Sequence, residues 1–381
     1  MRSVTLKDVA RAAGVSVSTV SRVLDTRLPS SRSQAAERVR AAAAELGYRR
    51  DEAASALRRG DTATIGVLVP RLSDTIMALL FEALYAEAAR RGLFALVSVC
   101  GDDPDDERRA TESLLARRVD GLVLAAARLD DDLPARLRRQ GVPHVLALRT
   151  DEVSPAAVCD DELGGYLATR HLVDLGHERI AVMPGPDFTS TAQRRLAGYR
   201  RAMAEAGLPV TKDTSGGPGW VRHCGFGFDA GLATSTALLT DHPDLTALFA
   251  ANDRLALGSL AAAERLGRSV PRDLSVVGYN DTPLAAQVPV PLSTVRVPFD
   301  RIAADALELL SFQAATPPVP VGVGEGEGGA SGPGKANGPG KADKAGTEGM
   351  SGMSGAVGRA PVGPERVCVP TLIPRASSAR P

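Results

Sequence analysis

Short apolar runs alternate with helical patterns through most of the chain. Apolar runs at residues 65–70, 93–99, 121–126 and 142–148 predict buried parallel strands, and helical patterns separate them. A second series of runs follows at 179–185, 245–251 and 274–279, again with helical patterns between them. This alternation predicts two doubly wound α/β lobes, with a ligand cleft where the carboxyl ends of their strands face each other.

The first two dozen residues carry a different pattern, typical of two short helices around a tight turn. Thr5 with Asp8 predicts a capping box, Gly14 supplies the turn, and Ser16 caps the second helix. Val20, Val23 and Leu24 share one face of that helix, whereas Ser18, Ser21 and Arg22 share the opposite one. The pattern favours a helix-turn-helix over the alternative, an ordinary helical hairpin with a solvated polar side.

A third helix is predicted from a Ser31 capping box to Leu46, with Val39 and Leu46 packing on the hairpin and Tyr48 covering the join. The segment at 49–61 has helical propensity but hardly any apolar face. It is predicted to be either a linker or a helix that forms only on binding.

Charge is unevenly distributed in a chain whose formal net charge is zero. Residues 1–60 contain twelve arginines and lysines against six acids, so this part carries +6 and the remainder −6. The asymmetry suits a nucleic-acid-binding head on an acidic body, although a basic solvated face would give the same count.

The predicted boundaries follow these patterns. They are a helix-turn-helix head at 1–48, a hinge helix or linker at 49–61, a first lobe at 62–160 with 292–315, and a second lobe at 161–291 with 365–377. Residues 316–364 are rich in glycine and proline and are predicted to be a disordered insert that adds reach or nothing.

The sequence does not specify an enzyme, a metal site or a cofactor site. Four cysteines lack C-x-x-C spacing, the five histidines form no ligand motif, and no G-x-S-x-G is present. The G-x-G-x-x-A pattern ending at Ala230 does not follow an apolar strand, so a loop leading into a helix is favoured over a dinucleotide site. With no signal-peptide pattern and no apolar run long enough for a bilayer, a cytoplasmic protein without a membrane partner is expected.

Several segments together resemble the lactose/galactose repressor (LacI) family of bacterial regulators. They include VTLKDVARAAGVSVSTVSRVL, TIGVLVP, HLVDLGHERIAVMPGP, RRLAGYRRAM, ALFAANDRLALGSLAAAERLG and VPRDLSVVGYND. The resemblance covers nearly the whole chain outside the insert. It implies a dimeric repressor with a DNA-reading head, a hinge helix and a two-lobed effector domain like a periplasmic sugar-binding protein.

The resemblance also assigns the DNA contacts. Val17, Ser18 and Arg22 match positions that face base edges in the major groove. Positions that hold phosphates correspond to Thr5, Ser16, Thr19 and Ser21, and the hinge leucine that enters the minor groove corresponds to Leu57. The chain departs from the family at Asp25, where Asn is common, and at Arg50, Asp51 and Glu52, where the hinge usually opens with Pro-Asn. These departures are expected to weaken operator affinity or to shift operator preference.

In the cleft, the resemblance assigns Arg195 as the arginine that grips the ligand. The other expected wall residues are Asn252, Asn280, Asp160, Phe226, Ile76 and Met77. Asp253 is expected to cap a helix, and Phe226 has the alternative of a simple core position. Asn280 stands where the family places an aspartate that binds a sugar hydroxyl, and the substitution removes that charge. A sugar effector is the expectation.

The leading hypothesis is therefore a homodimeric transcriptional regulator that binds a pseudo-palindromic double-stranded operator under the control of a small molecule, such as a sugar. A solute receptor without a DNA-binding role is the alternative; it would need a secretion signal and no basic head.

Overall fold

The computed structural model describes residues 4–24, 31–48, 62–210, 219–315 and 363–381. In the head, α1 (Leu6–Ala13) and α2 (Val17–Val23) form the predicted hairpin, and α3 (Gln34–Glu45) packs across it. Val9, Val20 and Val39 have no exposed surface, so one side chain from each helix closes this small core. The predicted hinge at 49–61, with Leu57, lies outside the described residues, as do Asp25, Arg50, Asp51, Glu52 and nearly all of the predicted insert.

Two details of the third helix were predicted wrongly. Its cap is Ser33, whose Oγ accepts from the Ala36 amide at 3.3 Å, and not Ser31. Leu46 is 38% exposed and lies outside the core. Gly47 adopts a left-handed φ of 61° that folds the chain back, so that the Tyr48 amide donates to the Ala43 carbonyl at 2.9 Å. Tyr48 therefore covers the core in place of Leu46.

The first lobe is a six-stranded parallel sheet with helices on both faces. Its strand order is β10-β5-β4-β3-β1-β2. The elements are β1 (Thr64–Val69), α4 (Thr75–Arg90), β2 (Phe94–Val99), α5 (Pro104–Ala116), β3 (Gly121–Leu124), α6 (Leu133–Arg139), β4 (His144–Ala147), β5 (Ala156–Cys159), α12 (Phe299–Ala315) and β10 (Glu365–Cys368). Along β1, Val67 and Leu68 enter opposite cores, which explains why the strand is an unbroken apolar run.

The second lobe has a smaller parallel sheet, in the order β6-β7-β8. Its elements are α7 (Asp161–Asp174), β6 (Ile180–Met183), α8 (Ser190–Glu205), α9 (Phe228–Asp241), β7 (Ala247–Ala250), α10 (Asp253–Arg265), β8 (Ser275–Val277) and α11 (Pro283–Gln287). Helices α7 and α8 approach so closely that a Cβ on Gly198 would lie 2.0 Å from the Glu162 carbonyl oxygen. The predicted two-lobed, doubly wound architecture is confirmed.

The predicted lobe boundaries need correction near the carboxyl terminus. Strand β10 pairs in parallel with β5 in the first lobe, so assigning residues 365–368 to the second lobe was wrong. Strand β5 itself was not predicted, because its four small residues make too short an apolar run. Conversely, Leu292 packs in the core of the second lobe, although 292–315 was assigned to the first. Two further strands, β9 (Thr294–Arg296) and β11 (Thr371–Ile373), pair antiparallel.

Candidate functional site

The predicted caps set the geometry of the helix-turn-helix. The Asp8 carboxylate accepts from the Thr5 amide at 2.9 Å and from the Thr5 hydroxyl at 2.7 Å. Gly14 makes the turn with a φ of 64°. The Ser16 Oγ accepts from the Thr19 amide at 3.2 Å, which starts α2 immediately after the turn. The capping residues therefore fix where each of the two helices begins.

The outer face of α2 meets solvent along its length. Ser16, Val17, Ser18 and Arg22 are exposed, and Thr19 and Ser21 are partly exposed. Thr5 is exposed as well, at the start of α1. Within the described part of the head, no carboxylate lies within 4.0 Å of the Arg22 guanidinium. The hydroxyls and Arg22 thus form a convex polar surface, held in place by a buried apolar face.

A cavity of about 470 Å³ lies between the two lobes, at the carboxyl ends of their strands. Six of the seven predicted wall residues line it: Ile76, Met77, Arg195, Phe226, Asn252 and Asn280. Ile76 and Met77 come from the first turn of α4, where the Asp74 carboxylate caps the helix by accepting from the Ile76 amide at 3.2 Å. Burial raises the pKa of the Asp74 carboxyl above its usual value.

Arg195 is held on three sides where it meets the cavity. Its Nε donates to Asp161 Oδ1 at 2.8 Å, its Nη1 donates to the Ala251 carbonyl, and its guanidinium lies over the ring of Tyr279. The close approach of α7 to α8 brings the two charges together. Burial raises the pKa of the Asp161 carboxyl, and Arg195 opposes that shift. Arg195 is thus a fixed, buried cation at the cavity wall.

The two predicted asparagines differ in what their side chains have left to offer. Asn252 caps α10 by accepting from the Leu255 amide at 2.7 Å, and its Nδ2 donates to the Phe226 carbonyl at 3.0 Å. Asn280 is 2% exposed, with a φ of 104°, and its Nδ2 has no hydrogen-bond partner among the described residues. Asn252 therefore shapes the wall, whereas Asn280 keeps an unused donor.

Phe226 is placed by a glycine. A Cβ on Gly185, whose φ is 96°, would lie 2.3 Å from the Phe226 ring. Because Gly185 has no side chain, the ring can reach the cavity wall, where it can pack against an apolar surface of a ligand.

Two expected roles of acidic residues were wrong. Asp160 does not line the cavity, because its Oδ1 caps α7 by accepting from the Leu163 amide at 2.9 Å. The neighbouring Asp161 is the residue that meets Arg195. Asp253 does not cap α10; it is buried and accepts from the amide of Thr282 at 2.7 Å and from the hydroxyl of Thr294 at 2.6 Å. These bonds tie α10 to the chain after β8.

Sequence reasoning missed several charged wall residues of the first lobe. Arg71, Asp102, Arg128 and Arg149 follow β1, β2, β3 and β4 in turn. The guanidinium carbon of Arg128 lies 3.6 Å from the ring centroid of Phe188, which belongs to the second lobe, so this pair bridges the lobes. Each of these charged residues lies within three positions of the end of a predicted apolar run, and that position was the signal that would have identified it.

No cluster of three or more potential metal ligands occurs within the described ranges. Among the same residues, no helix combines the length and apolar character needed to cross a bilayer.

A helix-turn-helix head joined to two α/β lobes around a polar cavity defines the class of ligand-responsive DNA-binding regulators. Residues 5–51 match the model of the bacterial regulatory proteins of the lacI family, and residues 169–322 match that of the periplasmic binding protein-like domain. The chain belongs to the lacI family of bacterial regulatory proteins and is a DNA-binding transcriptional repressor with an effector-binding domain, as the sequence predicted.

Individual relatives match this chain over most of their own length. The HTH-type transcriptional repressor PurR of Vibrio campbellii is 34% identical over 310 residues, or 80% of this chain and 90% of the relative. The ribose operon repressor of Haemophilus influenzae is 32% identical over 317 residues, or 82% and 92%. The solved lac repressor dimer bound to operator and the anti-inducer ONPF has a TM-score of 0.76 at 26% identity, over 99% of this chain and 100% of that one. All three of these relatives are repressors.

Proposed function

We propose that this repressor acts as a homodimer on a pseudo-palindromic operator in the bacterial cytoplasm. Each head presents the outer face of α2 to the major groove, with Val17, Ser18 and Arg22 toward base edges. Thr5, Ser16, Thr19 and Ser21 face the phosphates. The observation that carries the proposal is the exposure of this face on a helix whose other side is anchored by fully buried Val20.

The cavity between the lobes takes a small molecule that controls operator affinity. Its volume of about 470 Å³ lies within the range of small-molecule sites in proteins, and both lobes contribute charged and polar walls. A ligand that contacts both lobes favours one relative arrangement of them, and linkage transmits that preference to the two heads. Leu57, outside the described residues, is our proposed minor-groove contact between heads and lobes.

Exposed apolar side chains on both lobes support the dimer. On the first lobe Tyr85 is 51% and Phe94 58% exposed, and on the second lobe Leu284 is 49% exposed. Covering such side chains in a two-fold interface would remove apolar surface from water. Sedimentation velocity on the full chain would give the mass of a dimer if the proposal holds and that of a monomer if it does not.

The test of the DNA-binding role is a titration of the full chain onto duplexes selected from a random pool. Because α2 and its neighbours contact phosphates, we expect affinity to fall by about three to five orders of magnitude between 50 and 200 mM salt. A protein that selects no duplex at low salt would instead support the alternative, a small-molecule receptor without a DNA-binding role.

A further inference from the structure

The cavity wall carries more guanidinium groups than carboxylates. Its charged lining residues are Arg71, Arg128, Arg149, Arg195, Asp74 and Asp102. Two of the arginines have carboxylate partners that do not line the cavity: Asp161 beside Arg195, and Asp130 in a bidentate pair with Arg128 at 2.8 Å. In both pairs the positive end therefore faces the ligand space.

Arg149 differs from the other three arginines. It is 7% exposed, and its Nη1 donates to the Ala126 and Ala127 carbonyls at 3.0 and 3.3 Å. Within the described ranges no carboxylate lies within 4.0 Å of its guanidinium, and Nε and Nη2 donate no hydrogen bond. Burial lowers its pKa to about 10, so the group remains a cation at neutral pH. The carboxyl groups of Glu107, Asp102 and Asp74 act on this cation only from beyond contact distance. A bound anion would supply the contact ion pair that Arg149 lacks.

Asn280 adds an independent observation from the opposite lobe. Asn280 lines the same cavity, and its buried Nδ2 has no acceptor among the described residues. The two lobes thus present unused N–H donors to one space. A neutral sugar offers hydroxyls that need acceptors as well as donors, whereas a carboxylate or phosphate offers acceptors alone.

We propose that the effector is a sugar-sized anion whose carboxylate or phosphate is bound by Arg149, with Asn280 donating to an acceptor of the same ligand. This inference rests on the proposed function, because it assigns a ligand class to that same cavity. The Asp74 carboxyl, which lacks an ion pair within 4.0 Å among the described residues, remains available for a ligand hydroxyl.

The test compares charged compounds with their neutral parents on the full chain. Glucose is set against glucose 6-phosphate and gluconate, and ribose against ribose 5-phosphate, with inorganic phosphate alone as a further probe. We expect at least one charged compound to raise the melting temperature while its parent does not at equal concentration. The phosphate and carboxylate arms distinguish the two kinds of anion. Neutral parents that stabilise as well as the anions, or a panel in which no anion stabilises, would overturn the inference.

Variants then locate the anion. Arg149→Gln is expected to weaken binding of the stabilising anion at least ~10-fold by calorimetry, and Arg149→Lys to retain part of that binding. Arg136→Gln, on α6 outside the cavity, is the control and should bind the anion like the wild type. Emission of Trp220, the single tryptophan, reports whether each variant is folded. Unchanged binding by a folded Arg149→Gln protein would overturn the assignment.

The anionic ligand and the DNA-binding role are tested by separate measurements. Operator binding is measured on the wild type in the same buffers, with and without the stabilising compound. A protein that binds an operator but prefers neutral sugars disproves the anion alone, and one that binds an anion but no duplex disproves the repressor role.

Discussion

The guanidinium carbon of Arg195 lies 3.7 Å from the ring centroid of Tyr279. The same guanidinium is paired with Asp161, whose side chain is 3% exposed. One arginine therefore faces the ligand space and also neutralises a buried acid, so its contributions to binding and to stability need separate measurements.

Replacing Arg195 should destabilise the second lobe. Arg195→Met leaves Asp161 buried without its counter-charge, and we expect a loss of about 3–5 kcal/mol in the free energy of unfolding. Adding Asp161→Leu should recover a large part of that loss. Urea unfolding measures both, with Arg200→Met, an exposed arginine on the same helix, as the control. If Arg195→Met alone were as stable as the wild type, the ion pair between Arg195 and Asp161 would not be needed for stability.

Gly198 should not tolerate a methyl group. Because a Cβ there would lie 2.0 Å from the Glu162 carbonyl oxygen, Gly198→Ala must push α7 away from α8. We expect a loss of about 3 kcal/mol or more in stability and weaker ligand binding through Arg195. Ala197→Gly, at the exposed neighbouring position, should cost only about 1 kcal/mol. Equal melting temperatures for the two variants would show that the helices have room to separate.

Glu107 should make stability fall as pH rises. Burial, and then the nearby Asp131, raise the pKa of its carboxyl to about 7. Below about pH 4.5 the group is protonated in both folded and unfolded chains. As pH rises toward 7 the unfolded chain ionises first, and the folded state loses up to about 3 kcal/mol in relative stability. Glu107→Gln should therefore resemble the wild type at pH 4.5 and exceed it at pH 8.

The matched control for that comparison is Glu112→Gln, an exposed glutamate on the same helix. It should follow the wild type at both pH values in chemical denaturation. If Glu107→Gln offers no advantage at pH 8, the carboxyl ionises in the folded protein without cost.

Arg22 should determine operator choice without supporting the fold. Because the side chain is exposed, Arg22→Met should leave the melting temperature unchanged and weaken binding to the selected duplex about 10- to 100-fold. Arg11→Met, another exposed arginine on α1, should have a smaller effect. Fluorescence anisotropy gives both affinities, and equal losses for both variants would indicate that Arg22 contributes charge alone.

The sequence predicted those features that depend on local spacing. The caps at Thr5 and Ser16 and the longer apolar strands belong to this group, because periodicity and cap chemistry are local. Strand β10 adds to whichever sheet has a free edge within reach. The local sequence pattern of β10 does not indicate which lobe that is. Asp160 and Asp161 are adjacent at the start of α7. A shift of one position in where the helix begins would decide which of the two carboxylates meets Arg195.

The anchoring of the segment between α12 and β10 has a practical consequence. Arg366 of β10 donates to Glu308 of α12 at 2.6 Å, so both flanks of residues 316–362 are fastened to one lobe, side by side. A reporter domain inserted between these two flanks would move with the first lobe. The chain segments that connect the two lobes would remain unchanged.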